Sequence, residues 1–142
     1  MQNHVILNKE MGKVLLFTIL LSFCSFAQGQ QNDKISTIEF VQIVNSNKEE
    51  AIFYFQNNWG ILRKMAVERN YIHSYELLET PVSEKGPFQL MLMTTYLNEK
   101  QYKLREEHFE ALINEKGSLK LLNDKKPSEF RKSLFSKTSI HH

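Results

Sequence analysis

The residues of this sequence that could do chemistry gather around one hairpin. Tyr71, His73 and Tyr75 recur at every second position of YIHSYELLE, and Tyr96 closes the apolar run FQLMLMTTYL that follows. A period of two sends such residues to one face of a strand. If His73 pairs with Thr94, or in an equivalent in-phase register, Tyr96 joins them and a polar-aromatic cavity results. The plainer alternative is a structural histidine satisfied by its neighbours. Glu76 has the opposite parity, with Ile72, Ser74 and Leu78. In a barrel interior, desolvation would raise its pKa and suit it to general-base work; on an edge or a solvated face it would be an ordinary acid. Asn58 falls inside the apolar stripe of a helix. A buried asparagine needs partners, so it is either a structural hydrogen-bonder or a group lining a pocket. Histidine, cysteine and carboxylate clusters at metal spacing are absent, as are Ser/His/Asp and glycine-rich phosphate signatures. No metal and no cofactor is expected.

The elements that must position these residues read as β-α-β-β-α-β. The central hairpin spans Tyr71 to Leu97, its two strands joined by a polar turn holding Pro81, Gly86 and Pro87. The first strand is Ile35 to Val44, with Glu39 and Val41 on one face and Phe40 and Gln42 on the other. Asn45-Ser46-Asn47 ends it and offers an N-cap, and Glu49 and Glu50 suit the first turn of a helix. That helix runs from Lys48 to Arg69, with Ala51, Ile52, Tyr54, Phe55, Trp59, Ile61, Leu62, Met65 and Ala66 on one broad face and Arg63, Lys64 and Glu68 largely off it. Trp59 reads as core. Gly60, mid-helix, marks the close approach of another backbone. A second helix, Asn98 to Glu115, turns Tyr102, Phe109, Leu112 and Ile113 inward and ends at Gly117. Its back carries Leu104 and Ala111, which hint at a partner surface. Ser118 to Asn123 (SLKLLN) is the expected last strand. Residues 124–142 form a C-terminal extension with a short helix over Ser128 to Phe135 and a loose tail at His141-His142.

Ahead of the domain lies a targeting pattern. Met11-Gly12-Lys13, the apolar run Val14 to Phe23, and small residues at Ser25 and Ala27 make a secretory signal peptide over residues 1–27. The run is too short to span a membrane, which takes about 20 apolar residues. Met11 is the expected natural start. Cys24, the single cysteine, falls in the segment to be removed, so the mature chain has no thiol. A short linker, 28–34, then leads into the domain at 35–123. Such a protein would be periplasmic or secreted, with no transmembrane segment after cleavage. A formal net charge of only +2 and the lack of a long like-charge run leave no electrostatic footprint for nucleic acid.

In this order the chain resembles the dimeric α+β barrel superfamily, a ferredoxin-like group that includes the antibiotic-biosynthesis-monooxygenase-like, stress-responsive barrel and NIPSNAP-like domains. The resemblance covers Ile35 to Asn123 and rests on ERNYIHSYELLE, FQLMLMTTYLNEKQY and REEHFEALI. Asn70 stands where the family usually has glycine before the second strand; asparagine also tolerates positive φ. The resemblance implies an α+β, ferredoxin-like βαββαβ fold, with an antiparallel sheet, two helices on one face and a second copy closing a barrel. His108 corresponds to the helix histidine that ligates iron in the haem-degrading members. Those members add a tryptophan at the end of the third strand and an asparagine on the first, where this chain has Tyr96 and, on the first strand, Gln42 in its middle and Asn45 only at its end. The resemblance therefore does not carry haem degradation to this chain.

Pairing also has a physical basis. Leu90 and Leu92 point one way from the third strand and Met91 and Met93 the other, so both faces of the sheet want burial. A homodimer is expected. The preferred function is binding of a small hydrophobic ligand in a cavity at the sheet. A cofactor-independent monooxygenase-like enzyme, and a dimeric interaction module with no small-molecule site, are the alternatives.

Overall fold

A computed structural model describes residues 33–142 of the protein. In chain order it has β1 (Ile35–Ile43), α1 (Lys48–Tyr54), a π-helical turn (Phe55–Trp59), α2 (Gly60–Glu68), β2 (Ser74–Glu79), β3 (Leu90–Tyr96), α3 (Glu99–Lys103), α4 (Arg105–Lys116), α5 (Pro127–Phe130) and β4 (Arg131–Ile140). The strands form one four-stranded antiparallel sheet in the order β2-β3-β1-β4. This α+β arrangement is consistent with the ferredoxin-like plan. No helix among the described residues is long and apolar enough to cross a membrane. The signal-peptide reading of residues 1–27, the start at Met11 and most of the linker 28–34 lie outside the described residues.

Local chemistry sets the boundaries. Asn45 and Ser46 take positive φ and end β1, and Asn70, at φ 57°, makes the turn into the hairpin that its residue type allows. The first helical arm is not uniform. Its five-residue π turn lets the Gly60 N–H reach back to the Phe55 carbonyl. A Cβ at Gly60 would stand 3.3 Å from that oxygen, so the backbone that approaches Gly60 is its own helix's. The wider turn also shifts the helical face, and Ile61, expected inward, is 40% exposed. The second arm breaks at Leu104 into α3 and α4. It buries Leu112 but leaves Ile113 exposed.

On the helix side of the sheet, Val41, Leu90 and Leu92 pack with Ala51, Phe55 and Phe130. A second cluster joins Ala66, Ile72, Tyr96 and Leu112 where α4 meets α2. Burying each leucine contributes about 1.5–3 kcal/mol. The other side of the sheet carries no helix among the described residues. There Phe40 stacks on Phe135 with ring centroids 4.5 Å apart and meets Phe88 edge-on at 4.8 Å. Met91 and Met93 are half-buried beside them, and Leu78 is exposed.

The last strand differs from the expectation. Ser118 to Asn123 is not a strand, and β4 is Arg131–Ile140, inside the segment read as an extension with a loose tail. The physical reason lies with Asn58. Its side chain takes both backbone groups of Lys120, accepting from the N–H and donating to the carbonyl, so this segment is held to the helical arm instead of to the sheet. The expected helix over Ser128 to Phe135 is only the short α5, which buries Phe130. The tail is likewise fastened: His141 N donates to Lys34 O, and its Nε2 lies 2.8 Å from Ser36 Oγ.

Candidate functional site

A cleft opens between the first helical arm and the sheet. Trp59 ends the π turn and Arg63 lies one helical turn on, so the two share a face. Opposite them stand Thr37 and Glu39 from β1, and Leu92 and Thr94 from β3, which pair as Thr37 with Thr94 and Glu39 with Leu92. β4 supplies the third wall. Its pairing with β1 slips between Phe40 and Val41, so that Ser133 and Ser136 both border the cleft. The cleft has two lobes that share Glu39, Trp59 and Arg63. The first, about 320 Å³, lies over β4; the second, about 310 Å³, runs toward Tyr54, Leu62, Lys116 and Arg131. It stays open because α4 packs on α2 and leaves β4 exposed.

The electrostatics of this cleft centre on Arg63. Its guanidinium lies 4.1 Å from the Phe109 ring centroid and 4.8 Å from that of Trp59. Nε donates to Thr94 Oγ1 at 3.3 Å. Burial lowers its pKa to about 10, partly opposed by Tyr96 and Glu39, so it remains a cation at neutral pH. Glu39 receives the Ser133 hydroxyl. Among the described residues no carboxylate forms an ion pair with Arg63. Behind this wall Tyr96 is buried, and burial pushes its phenol pKa up. Arg131, over the rings of Tyr54 and Phe55, has a buried Nε with no partner among the described residues. Apolar walls with a cation, an acid and several hydroxyls can hold a small, mostly apolar molecule and orient it.

The residues singled out from the sequence are placed as follows. The hairpin pairs Tyr75 with Thr94 and Ser74 with Thr95, two residues along from the expected register and in phase with it. His73 nevertheless precedes β2; its side chain is exposed and accepts from Lys34 Nζ at 3.0 Å. Tyr71 stacks on His108, centroids 3.7 Å apart, and His108 Nδ1 is buried with no hydrogen-bond partner among the described residues. Tyr75 meets Trp59 edge-on at 5.6 Å, in a recess bordered by Leu77 on another side of the indole. Tyr96 packs on Tyr102. Tyr71 and Tyr75 pack against the cluster that holds Tyr96, while His73 is exposed, because the alternation breaks between buried Ile72 and the strand proper. Glu76 is exposed on the open side of the sheet. Asn58 borders the second lobe, but its amide is fully used: Nδ2 donates to Tyr54 O and Lys120 O, and Oδ1 accepts from Lys116 Nζ and Lys120 N.

Glu39 and Arg63 were not among the expected site residues. One signal existed in the sequence: Glu39 shares its strand face with Val41, an acid in a row bound for the core. Arg63 gave none, since its inward turn follows from the π turn. Among the described residues no cluster of histidine, cysteine and acidic side chains could hold a metal ion.

No family model matches the chain, and no curated protein matches it. Two solved structures are similar to it. HapK from Hahella chejuensis aligns with a TM-score of 0.46 at 8% identity, over 74% of this chain and 90% of that one. A conserved protein of unknown function from Bacteroides thetaiotaomicron VPI-5482, described as a "possible oxidoreductase", aligns with a TM-score of 0.44 at 18% identity, over 77% and 96%.

Proposed function

We propose that this is an exported member of the dimeric α+β barrel superfamily that binds a small hydrophobic ligand in the Trp59–Arg63 cleft. The observation that carries the ligand is the cleft itself: two lobes of about 320 and 310 Å³, at the small end of ligand sites, with an indole wall and a few convergent polar groups. Export, to the periplasm or beyond, rests on the basic, apolar and small-residue pattern of residues 1–27. Pairing rests on the sheet side opposite the described helices, where Phe40, Met91 and Met93 are half-buried and Phe135 is exposed.

Native mass spectrometry of the protein purified from its own source tests the reading. The expected spectrum is a dimer with a retained small molecule that Trp59→Ala loses, and with an N-terminus at Gln28. A ligand-free spectrum for both proteins counts against binding. An intact N-terminus in the cytoplasmic fraction overturns export.

A second reading, an enzyme of the cofactor-independent monooxygenase type, is favoured by Glu39, a carboxylate at the wall of the same cleft that could take a proton from a phenolic substrate. Consumption of a quinol together with dioxygen, lost in Glu39→Gln, would establish it.

A further inference from the structure

We infer that the cleft recognises a carboxylate carried on a planar apolar body, and that Arg63 is the residue that reads it. The inference rests on the proposed ligand-binding function and specifies its ligand. Trp59 and Phe109 lie against the guanidinium at 4.8 and 4.1 Å, the distances of cation–π contact. The N–H groups of a guanidinium lie in its plane, and ring contacts of this kind do not satisfy them as hydrogen-bond donors. Of these, Nε meets Thr94 Oγ1 across 3.3 Å, a long bond, and it is the only hydrogen bond of the Arg63 side chain among the described residues. Arg63 borders both lobes, and its remaining N–H groups have no hydrogen-bond partner among the described residues.

A half-buried cation with no ion-pair partner is costly to maintain for packing alone. Glu39 borders the same lobes but is engaged by Ser133 on the β4 side and makes no ion pair with Arg63. An arginine with free in-plane donors suits a planar acceptor with two oxygens, and a carboxylate can take two parallel N–H bonds. Trp59 offers the adjoining flat surface for an apolar ring.

Calorimetric titration of the purified protein with 2-naphthoate and with 2-naphthamide, which keeps the ring and lacks the charge, separates the two claims. The expected result is at least tenfold tighter binding of the acid. Arg63→Gln should abolish the preference, so that acid and amide bind the variant within about threefold of one another. Should Arg63→Gln fail to fold, the wild-type comparison still decides, with Arg63→Lys as the second variant, expected to lose at least fivefold of the preference. Equal binding of acid and amide to wild type would overturn the carboxylate inference and leave hydrophobic binding standing. Binding of neither would overturn both.

Discussion

Asn58 and Lys120 are joined by two hydrogen bonds, the Asn58 amide nitrogen donating to the Lys120 carbonyl and the Lys120 N–H donating to Asn58 Oδ1, each 2.8 Å long. The side chain acts as a strand would, supplying one donor and one acceptor to the backbone of Lys120. Asn58→Ala should therefore destabilise the protein by about 1–3 kcal/mol. Amide exchange should accelerate at Lys120 and its neighbours before the sheet is affected. Unchanged exchange at Lys120 would show that the pair does not fasten this segment.

That pair also marks how far the fold could be read from the sequence. The β-α-β-β-α order, the hairpin and the Asn70 turn were legible because apolar periodicity and turn residues are local signals. The fourth strand was not. SLKLLN carries more apolar character than RKSLFSKTSI, yet Leu119 and Leu121 are exposed while the polar run forms the edge strand. An edge strand open to solvent needs no apolar alternation, so its pairing with β1 left no local trace. The site was legible only in part. Trp59 was visible as an inward residue, but the π turn that presents Arg63 has no residue signature. His73 was judged by a strand period that begins one residue after it.

Glu50 fastens the C-terminal part of the chain to α1. It is buried, accepts from Lys125 Nζ at 2.7 Å and from Asn123 Nδ2 at 3.0 Å, and these bonds hold its pKa down to about 2 from an ordinary 4.5. A carboxyl whose pKa is lower in the folded protein stabilises it above its unfolded pKa, and that contribution fades as pH falls through the folded one. Denaturation midpoints of wild type should therefore fall between pH 4.5 and 2. Glu50→Gln should be less stable at neutral pH and should converge on wild type through that window. Parallel curves for the two proteins would exclude this role.

Neighbouring residues of β3 should separate pairing from folding. Leu92 is 2% exposed in the core, and Met91 lies on the opposite side of the sheet, beside Phe40. Leu92→Asp should unfold the chain, costing more than the roughly 2–5 kcal/mol of a leucine-to-alanine cavity because it also buries a charge. Met91→Asp should stay folded and sediment as a monomer. A wild-type monomer at micromolar concentration, or a Met91→Asp dimer, would count against pairing through this face.

Trp59 is the sole tryptophan, so its indole N–H gives one assignable signal from the wall of the cleft. The most direct measurement is an amide and indole NMR titration of the protein with 2-naphthoate. Binding in the cleft should move the Trp59 indole together with the amides of Glu39, Arg63 and Thr94, saturably and with a common affinity. Shifts confined to Phe40, Met91 and Phe135 on the other side of the sheet, or none at saturation of the titrant, would contradict it.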